Sequence, residues 1–272
     1  MTTRFATMFA NLKAKHEGAF VPFVTLCDPN FDTSVKILHT LCASGADALE
    51  LGLPFSDPCA DGPVIQDADK RALSAGSTTQ RCFDAIAKLR ASYDAVPISL
   101  LVYVNLVVAF GTDRFFAQAA AAGVDAVLLA DVPVNMLDAG EDFRAAASRH
   151  GIELVLIAPS NASKATLAEI AEKSEGYIYT LSRFGITGTD KVFGRPVDLI
   201  AHLKELKAAP TLLGFGISTP DHVKIAMQCG ADGAISGSAI VKIIGENLDN
   251  EAAMLENLHI FVQKMKAATK EQ

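Results

Sequence analysis

Short apolar segments alternate along the chain with segments that place apolar side chains three or four positions apart. The first pattern predicts β-strands and the second predicts amphipathic helices. The strands read as nearly continuous apolar runs, which is typical of a parallel sheet buried on both faces. They are expected at residues 20–26, 46–51, 96–104, 124–130, 152–158, 177–181, 211–214 and 233–236.

Helices are expected before, between and after these strands. In residues 2–16, Phe5, Met8, Phe9 and Leu12 share one helical face, which predicts a helix that covers the bottom of the fold. A second helix is expected to begin at Asp32 or Thr33, its capping residue, and to end near residue 42. The others are expected at about 64–75, 78–93, 112–122, 135–149, 163–173, 197–207, 219–229, 238–245 and 250–268.

Eight strand–helix units in 272 residues fit an α/β fold of one kind, the (β/α)8 TIM barrel. The predicted barrel forms a single domain over residues 1–272, with an extra N-terminal helix and a short phosphate-binding helix after strand eight. A doubly wound open sheet would predict an early GxGxxG motif after the first strand, and none occurs there.

The composition of the chain argues against several classes of partner and site. Half of the residues are apolar, the net charge is −7, and no cluster of basic residues occurs, which argues against nucleic acid or an anionic membrane as the main partner. The five cysteines are scattered, which suits reduced thiols in the cytoplasm, and the histidines lack metal-ligand spacing. No apolar run approaches the ~20 residues of a membrane span. We therefore expect a soluble cytoplasmic protein without a metal.

Two carboxylates lie in the stretch LELGLPFSDPCADGP, at residues 49–63. Glu50 is near the end of the second strand, where alternation places it on one face with Ala46 and Ala48. If that face is the barrel interior, Glu50 points into the mouth and burial raises its pKa. Asp61 follows in the next loop. The structural alternatives are an ion pair for Glu50 and a helix N-cap for Asp61.

Three late loops have the composition of an anion site. They read SRFGITGTDKVFG, GFGIS and ISGSAI, and their glycines would let backbone N–H groups approach a ligand. Ser238 lies where a short helix is expected to begin, and a helix N-terminus favours a phosphate. Tight turns are the alternative explanation for these glycines, which are Gly188, Gly214, Gly216 and Gly237.

Apolar and aromatic residues at strand ends would accept a flat ring, although each could equally pack in the core. They are Phe23, Leu101, Tyr103, Leu128 and Phe215. Tyr179 adds a hydroxyl at the end of the sixth strand. The glycine-rich, charged segment 182–195 is expected to be a mobile lid. Tyr177 and the cysteines are interpreted as structural.

Longer motifs carry a family resemblance. The chain resembles the α subunit of tryptophan synthase along essentially its whole length. The matching segments are GAFVPFVTLCDP (18–29), GADALELGLPFSDPCADGPVIQ (45–66), LLADVPV (128–134), YIYTLSRFGITG (177–188), LLGFGIS (212–218) and GAISGSAIVKII (233–244).

The resemblance implies a lyase of tryptophan biosynthesis that cleaves indole-3-glycerol phosphate to indole and glyceraldehyde 3-phosphate by a retro-aldol reaction. Glu50 matches the catalytic glutamate, and Asp61 matches the aspartate that binds the indole N–H. Tyr179 matches a tyrosine beside the substrate, and Thr187 the residue that meets Asp61 when the lid closes. The positions that match the family's phosphate site are Gly188, Gly216, Gly237 and Ser238.

The resemblance also implies partners. The family subunit has no cofactor of its own and joins a β subunit that carries pyridoxal phosphate, in an α2β2 heterotetramer. The loop Pro54 to Pro58 matches the part that faces this partner. A stand-alone indole-3-glycerol-phosphate lyase without a β partner is an open alternative.

Two further alternatives are a different phosphate-binding barrel and a catalytically silent regulatory subunit. An indole-glycerol-phosphate synthase would be expected to use a lysine inside the barrel, and no strand places a lysine near its C-terminal end. The presence of both Glu50 and Asp61 argues against a silent subunit.

Overall fold

Eight parallel strands close into a barrel in the order β1 to β8, so each strand pairs with its neighbours in the sequence. The computed structural model describes residues 2–137, 142–181, 194–214 and 216–270. The predicted α/β barrel is confirmed. Its strands are β1 Ala19–Thr25, β2 Leu49–Gly52, β3 Ile98–Val102, β4 Ala126–Leu129, β5 Glu153–Ala158, β6 Ile178–Leu181, β7 Thr211–Gly214 and β8 Gly233–Ser236.

Strand side chains are buried on both sides of the sheet, which explains why the strands read as continuous apolar runs. In β1 every residue is buried. Alternate residues point into the barrel or outward against the helices. The inward set forms a cluster of its own, which we call the barrel interior and which includes Phe23, Ala48, Leu128, Val155, Tyr177, Tyr179, Leu212 and Ile235.

The helices form the outer layer around the strands. Their bounds are α1 Arg4–Ala14, α2 Phe31–Ala43, α3 Pro63–Ser74, α4 Thr79–Arg90, α5 Val104–Phe110, α6 Thr112–Ala122, α7 Phe143–Arg149, α8 Lys164–Lys173, α9 Gly194–Glu205, α10 Pro220–Gln228, α11 Ser238–Glu246 and α12 Glu251–Ala267. A short 3-10 turn covers Val134–Met136.

Helix α1 closes the bottom of the barrel, as its apolar face predicts. Phe5, Met8 and Leu12 are buried and belong to the barrel interior. The ring centroids of Phe5 and Tyr177 lie 5.3 Å apart. The N-terminal helix therefore forms the floor beneath the side chains in the middle of the barrel.

Several predicted bounds were wrong. Strand β3 ends at Val102, and residues 104–110, partly assigned to that strand, form helix α5. The predicted helix 135–149 is replaced by the 3-10 turn and the shorter α7. Strand β2 begins at Leu49 rather than at residue 46. Ala46 packs in the outer cluster, so it does not share the interior face of Ala48 and Glu50.

The cap of helix α2 also differs from the prediction. Asn30, rather than Asp32 or Thr33, is the N-cap, and its side-chain oxygen accepts a 3.0 Å hydrogen bond from the Thr33 backbone N–H. A side-chain acceptor at this position satisfies one of the unpaired N–H groups of the first turn. The cap thus lies two or three residues before the predicted one, and the helix begins at Phe31.

Neither a membrane span nor a metal cluster is found in the described part of the chain. No helix there is both long and apolar enough to cross a membrane. The same residues contain no group of three or more histidine, cysteine, aspartate and glutamate side chains arranged to hold a metal ion.

Candidate active site

A cavity of about 350 Å³ lies where strands β1, β2, β3, β6 and β8 end. This is the carboxyl end of the barrel, the usual place for the active sites of this fold. The lining combines two carboxylates with apolar side chains and glycines. Its members are Phe23, Glu50, Ala60, Asp61, Gly62, Pro63, Val64, Ile65, Leu101, Tyr179, Gly216, Ile217, Ile235, Gly237 and Ser238.

Glu50 reaches this cavity from the middle of the barrel. Its backbone pairs with Phe23 of β1 and Ser99 of β3, and only 1% of the residue is exposed. Burial raises the pKa of its carboxyl to about 7, although the nearby Tyr177 hydroxyl lowers that pKa. Such a pKa lets one carboxyl both donate and accept a proton near neutral pH.

The structural alternative for Glu50, an ion pair, is wrong for the described residues. Its hydrogen-bond partner there is neutral: the Tyr177 hydroxyl donates to Glu50 Oε1 at 2.9 Å. The same hydroxyl lies 3.1 Å from Ser99 Oγ. The sequence analysis interpreted Tyr177 as structural and did not assign Ser99, whereas Tyr177 contacts the Glu50 carboxyl directly and Ser99 contacts Tyr177. The period of two that places Tyr177 and Tyr179 on one face could have identified Tyr177.

Asp61 is held by a different tyrosine. The Tyr103 hydroxyl donates a 2.8 Å hydrogen bond to Asp61 Oδ2. The alternative role for Asp61 as a helix N-cap is wrong, because Gly62 is the N-cap of α3 and Pro63 begins the helix. Burial raises the pKa of the Asp61 carboxyl, and the hydrogen bond from Tyr103 opposes this increase.

Contacts with Tyr103 and with Gln66 of α3 hold the loop before α3 in place. The Ala60 N–H donates to the Tyr103 hydroxyl at 3.0 Å, and the Phe55 ring stacks on Tyr103 with centroids 5.1 Å apart. The Gln66 side-chain amide donates to the Asp61 carbonyl at 2.8 Å. These contacts set the position of the Asp61 carboxylate before any ligand binds.

Some of the predicted ring-binding residues lie at the cavity. Phe23, Leu101 and Tyr179 line it, and Tyr103 acts through its contact with Asp61. Leu128 belongs to the barrel interior but does not line the cavity. The sequence analysis missed the apolar lining residues Val64, Ile65, Ile217 and Ile235. Thr187, Gly188 and Phe215 lie outside the described residues, as does most of the predicted lid.

One side of the cavity, beyond the ends of β7 and β8, contains three residues of the predicted anion site. Gly216, Gly237 and Ser238 line this side, and Ser238 begins α11 with Gly237 as its N-cap. The first N–H groups of a helix lack intrahelical partners and attract an anion. None of the described lining residues is basic, so backbone amides and the Ser238 hydroxyl are the donors that they offer on this side.

Gly214 has a different reason to be glycine. It does not line the cavity, and a Cβ at this position would overlap the hydroxyl and ring of Tyr179. The tyrosine can occupy its place at the cavity wall only because β7 ends in a residue without a side chain. Gly214 therefore supports the aromatic wall rather than the anion site.

Together these groups can perform acid–base chemistry on an anionic, ring-bearing ligand. A sequence model of the family described as "Tryptophan synthase alpha chain" matches residues 9–270. The tryptophan synthase alpha chain of Actinobacillus pleuropneumoniae serotype 5b is 57% identical over 270 residues, covering 98% of this chain and 99% of the relative. The chain belongs to this family. The Francisella tularensis (strain FSC 198) alpha chain is 52% identical, with 99% of both chains covered.

Solved structures of tryptophan synthase support the same relationship. The subunit alpha of Legionella pneumophila str. Paris superimposes with a TM-score of 0.89 at 28% identity and covers 99% of each chain. A chain of the Pyrococcus furiosus tryptophan synthase α2β2 complex matches with a TM-score of 0.82 at 33% identity, over 93% of this chain and 99% of that one. As a member of this family, the chain is a carbon–carbon lyase of tryptophan biosynthesis that cleaves indole-3-glycerol phosphate to indole and glyceraldehyde 3-phosphate.

Proposed function

We propose that Glu50 and Asp61 are the catalytic residues of this cleavage. The observation that carries the proposal is their placement: both carboxylates line one cavity, and burial raises the pKa of Glu50 to about 7. A group that titrates near neutral pH is suited to move protons in both directions. Asp61 accepts a hydrogen bond from a different tyrosine, Tyr103, and is assigned a role separate from that of Glu50.

Glu50 moves the protons of the retro-aldol step. The carbon–carbon bond breaks when the indole ring carbon that carries the glycerol chain gains a proton, and the bonding electrons return to the ring. The adjacent glycerol hydroxyl loses a proton as it becomes the aldehyde of glyceraldehyde 3-phosphate. One proton is gained and one is lost, so Glu50 ends each cycle in the state in which it began.

Asp61 stabilises the charge that develops on the ring. Protonation of the ring carbon leaves positive charge on the indole nitrogen, and a carboxylate that accepts the indole N–H hydrogen bond lowers the energy of this state. Tyr103 supports this role because its hydroxyl favours the ionised form of Asp61. The buried site strengthens the interaction, since fewer water molecules screen it.

The remaining predicted residues orient the substrate. We place the phosphate at the N-terminus of α11, where Gly216, Gly237 and Ser238 line the cavity, with Gly188 as a further predicted contact. The indole then lies in the apolar part of the cavity. The predicted contacts with the rest of the substrate are Phe23, Leu101, Tyr103, Tyr179, Thr187 and Phe215.

The proposed steps use only protein side chains and backbone amides, so we expect no cofactor in this chain. We propose a β subunit with pyridoxal phosphate as its partner in an α2β2 assembly, in line with the Pyrococcus furiosus α2β2 complex. The loop Pro54 to Pro58 is the proposed contact. A single domain and a cytoplasmic location stay predictions.

Indole release from indole-3-glycerol phosphate tests the proposal. The purified chain is expected to release indole, and Asp61→Asn is expected to reduce kcat about 100-fold, as for the loss of one group that stabilises charge in the transition state. Addition of β subunit should raise the rate, whereas an unchanged rate would favour the stand-alone lyase. Unchanged turnover in Asp61→Asn would refute the role of this carboxylate.

A further inference from the structure

Ser99, Tyr177 and Glu50 form a hydrogen-bonded chain inside the barrel, below the cavity. Tyr177 Oη lies 2.9 Å from Glu50 Oε1 and 3.1 Å from Ser99 Oγ. Tyr177 and Ser99 are fully buried, and Glu50 is 1% exposed. Ser99 and Tyr177 do not line the cavity, so neither is placed to touch the substrate.

The number of hydrogens fixes the direction of this chain. A tyrosine hydroxyl has one hydrogen to donate, and an ionised carboxylate can only accept. The Tyr177 hydroxyl is placed to donate to Glu50 Oε1 at 2.9 Å or to Ser99 Oγ at 3.1 Å, but its single hydrogen can serve only one of them. When Glu50 is ionised, that hydrogen goes to the carboxylate, and the contact with Ser99 then persists as a hydrogen bond only with Ser99 as the donor. If Tyr177 donated to Ser99 instead, the hydrogen of the Ser99 hydroxyl would have no acceptor among the described residues. The reason is that the partner of the Ser99 hydroxyl among those residues is the Tyr177 hydroxyl itself. A buried donor without an acceptor costs roughly 1–3 kcal/mol.

We propose that Ser99 is a positioning residue, which fixes the direction of the Tyr177 hydroxyl so that Glu50 Oε1 stays an acceptor and proton transfer uses the other carboxyl oxygen. The inference rests on the proposed catalytic role of Glu50. Ser99 acts only through Tyr177. The two rings of Phe5 and Tyr177, in contact at the barrel floor, keep the phenol in place.

The electrostatic surroundings of Glu50 leave this chain as its main polar contact. The groups that face Glu50 or its hydrogen-bonded chain from the packed elements are Phe23 of β1, Ser99 of β3, Tyr177 and Tyr179 beside and within β6, Asp61 of the loop before α3, and Phe5 of α1. None of these groups, all from the described part of the chain, is a cation. Loss of a donor in the chain should therefore raise the pKa of Glu50, since only Tyr177 opposes the effect of burial.

The test compares Ser99→Ala with Tyr177→Phe. We expect both to move the inflection of the kcat–pH profile to higher pH, with the larger shift in Tyr177→Phe, and both to leave KM within about twofold. Carboxyl carbon NMR of the free protein should show the same order of Glu50 pKa values. Ser34→Ala is the matched control, because Ser34 is a buried serine outside the barrel that accepts from the Cys27 N–H.

The outcomes separate this inference from the proposed function. If Glu50→Gln kept full activity, the catalytic proposal itself would fail. If Glu50→Gln were inactive but Ser99→Ala kept the wild-type inflection and the wild-type NMR titration, the positioning role would be refuted. A purely structural role would lower kcat evenly at all pH values without a shift, and this result also contradicts the proposal.

Discussion

The hydroxyl of Tyr103 lies 2.8 Å from Oδ2 of Asp61 and donates a hydrogen bond to it. The two residues are far apart in the sequence, one in the loop before α3 and one at the end of β3. The same hydroxyl accepts from the Ala60 N–H at 3.0 Å. Tyr103 therefore holds both the carboxylate and the backbone of the loop that carries it.

Tyr103→Phe is expected to reduce kcat about 10- to 100-fold. A hydrogen bond to a charged group contributes about 1.5–3 kcal/mol, and its loss should raise the pKa of Asp61 further. Steady-state kinetics over a range of pH would measure both effects. Tyr93→Phe is the control, since the Tyr93 hydroxyl donates over 3.4 Å to the His39 carbonyl, outside the site. Equal effects of the two substitutions would rule out a specific role for Tyr103.

Glu50→Gln should stabilise the protein at alkaline pH while it removes activity. Because burial raises the folded-state pKa of Glu50 from 4.5 to about 7, the folded state binds more protons than the unfolded state between these values. Wild-type stability should fall as pH rises through this range, by on the order of 3 kcal/mol. The glutamine variant does not titrate and should escape this loss.

Urea unfolding at pH 5 and pH 8 measures this difference. The expected result is a variant clearly more stable than wild type at pH 8, with most of the difference gone at pH 5. A variant that is less stable at both pH values would show that Glu50 is a stabilising carboxylate, which would conflict with the cost of its burial.

Gly237→Ala tests the anion site without disturbing the protein around it. The added methyl group would lie 3.4 Å from the nearest atom, Phe23 Cδ1, which is an ordinary van der Waals contact, and φ at residue 237 is −109°, outside the left-handed region that favours glycine. The methyl group would occupy space at the N-terminus of α11, where we place the phosphate. We expect KM to rise at least about tenfold, with a melting temperature within about 2 °C of wild type.

Inhibition by glyceraldehyde 3-phosphate provides a second measurement of the same site. Its inhibition constant should rise in Gly237→Ala by a factor similar to that for KM. A tight-binding variant with wild-type KM and inhibition constant would place the phosphate elsewhere in the cavity.

Much of the fold follows from local pattern. Each of the eight strands was predicted within a few residues, because a strand buried on both faces must be apolar throughout and ends at a polar or glycine-rich turn. The apolar segment that forms α5 received no assignment beyond Val104, which was predicted to end the third strand. An apolar run such as VNLVVAF, residues 104–110, fits a strand or a buried helix equally well, and its packing on α6 decides the outcome.

The polar contacts of the site could not be predicted in the same way. Glu50 was assigned to the interior from alternation along β2, but its partner Tyr177 is 127 positions away. The local sequence pattern does not predict which tyrosine forms a hydrogen bond with which carboxylate. Tyr103 was predicted to contact a ring, which stays a prediction, and the hydrogen bond from its hydroxyl to Asp61 was not foreseen. Such pairs depend on the register of the closed barrel.

The release of indole by Glu50→Gln tests the central claim most directly. Glutamine keeps the shape of the side chain but cannot exchange a proton, and the account predicts a fall in kcat of at least about 100-fold, within the range for a lost acid–base group. The control is Glu153→Gln, a glutamate that begins β5 at the opposite end of the barrel and should keep wild-type activity. Indole release at the wild-type rate by Glu50→Gln would contradict the account.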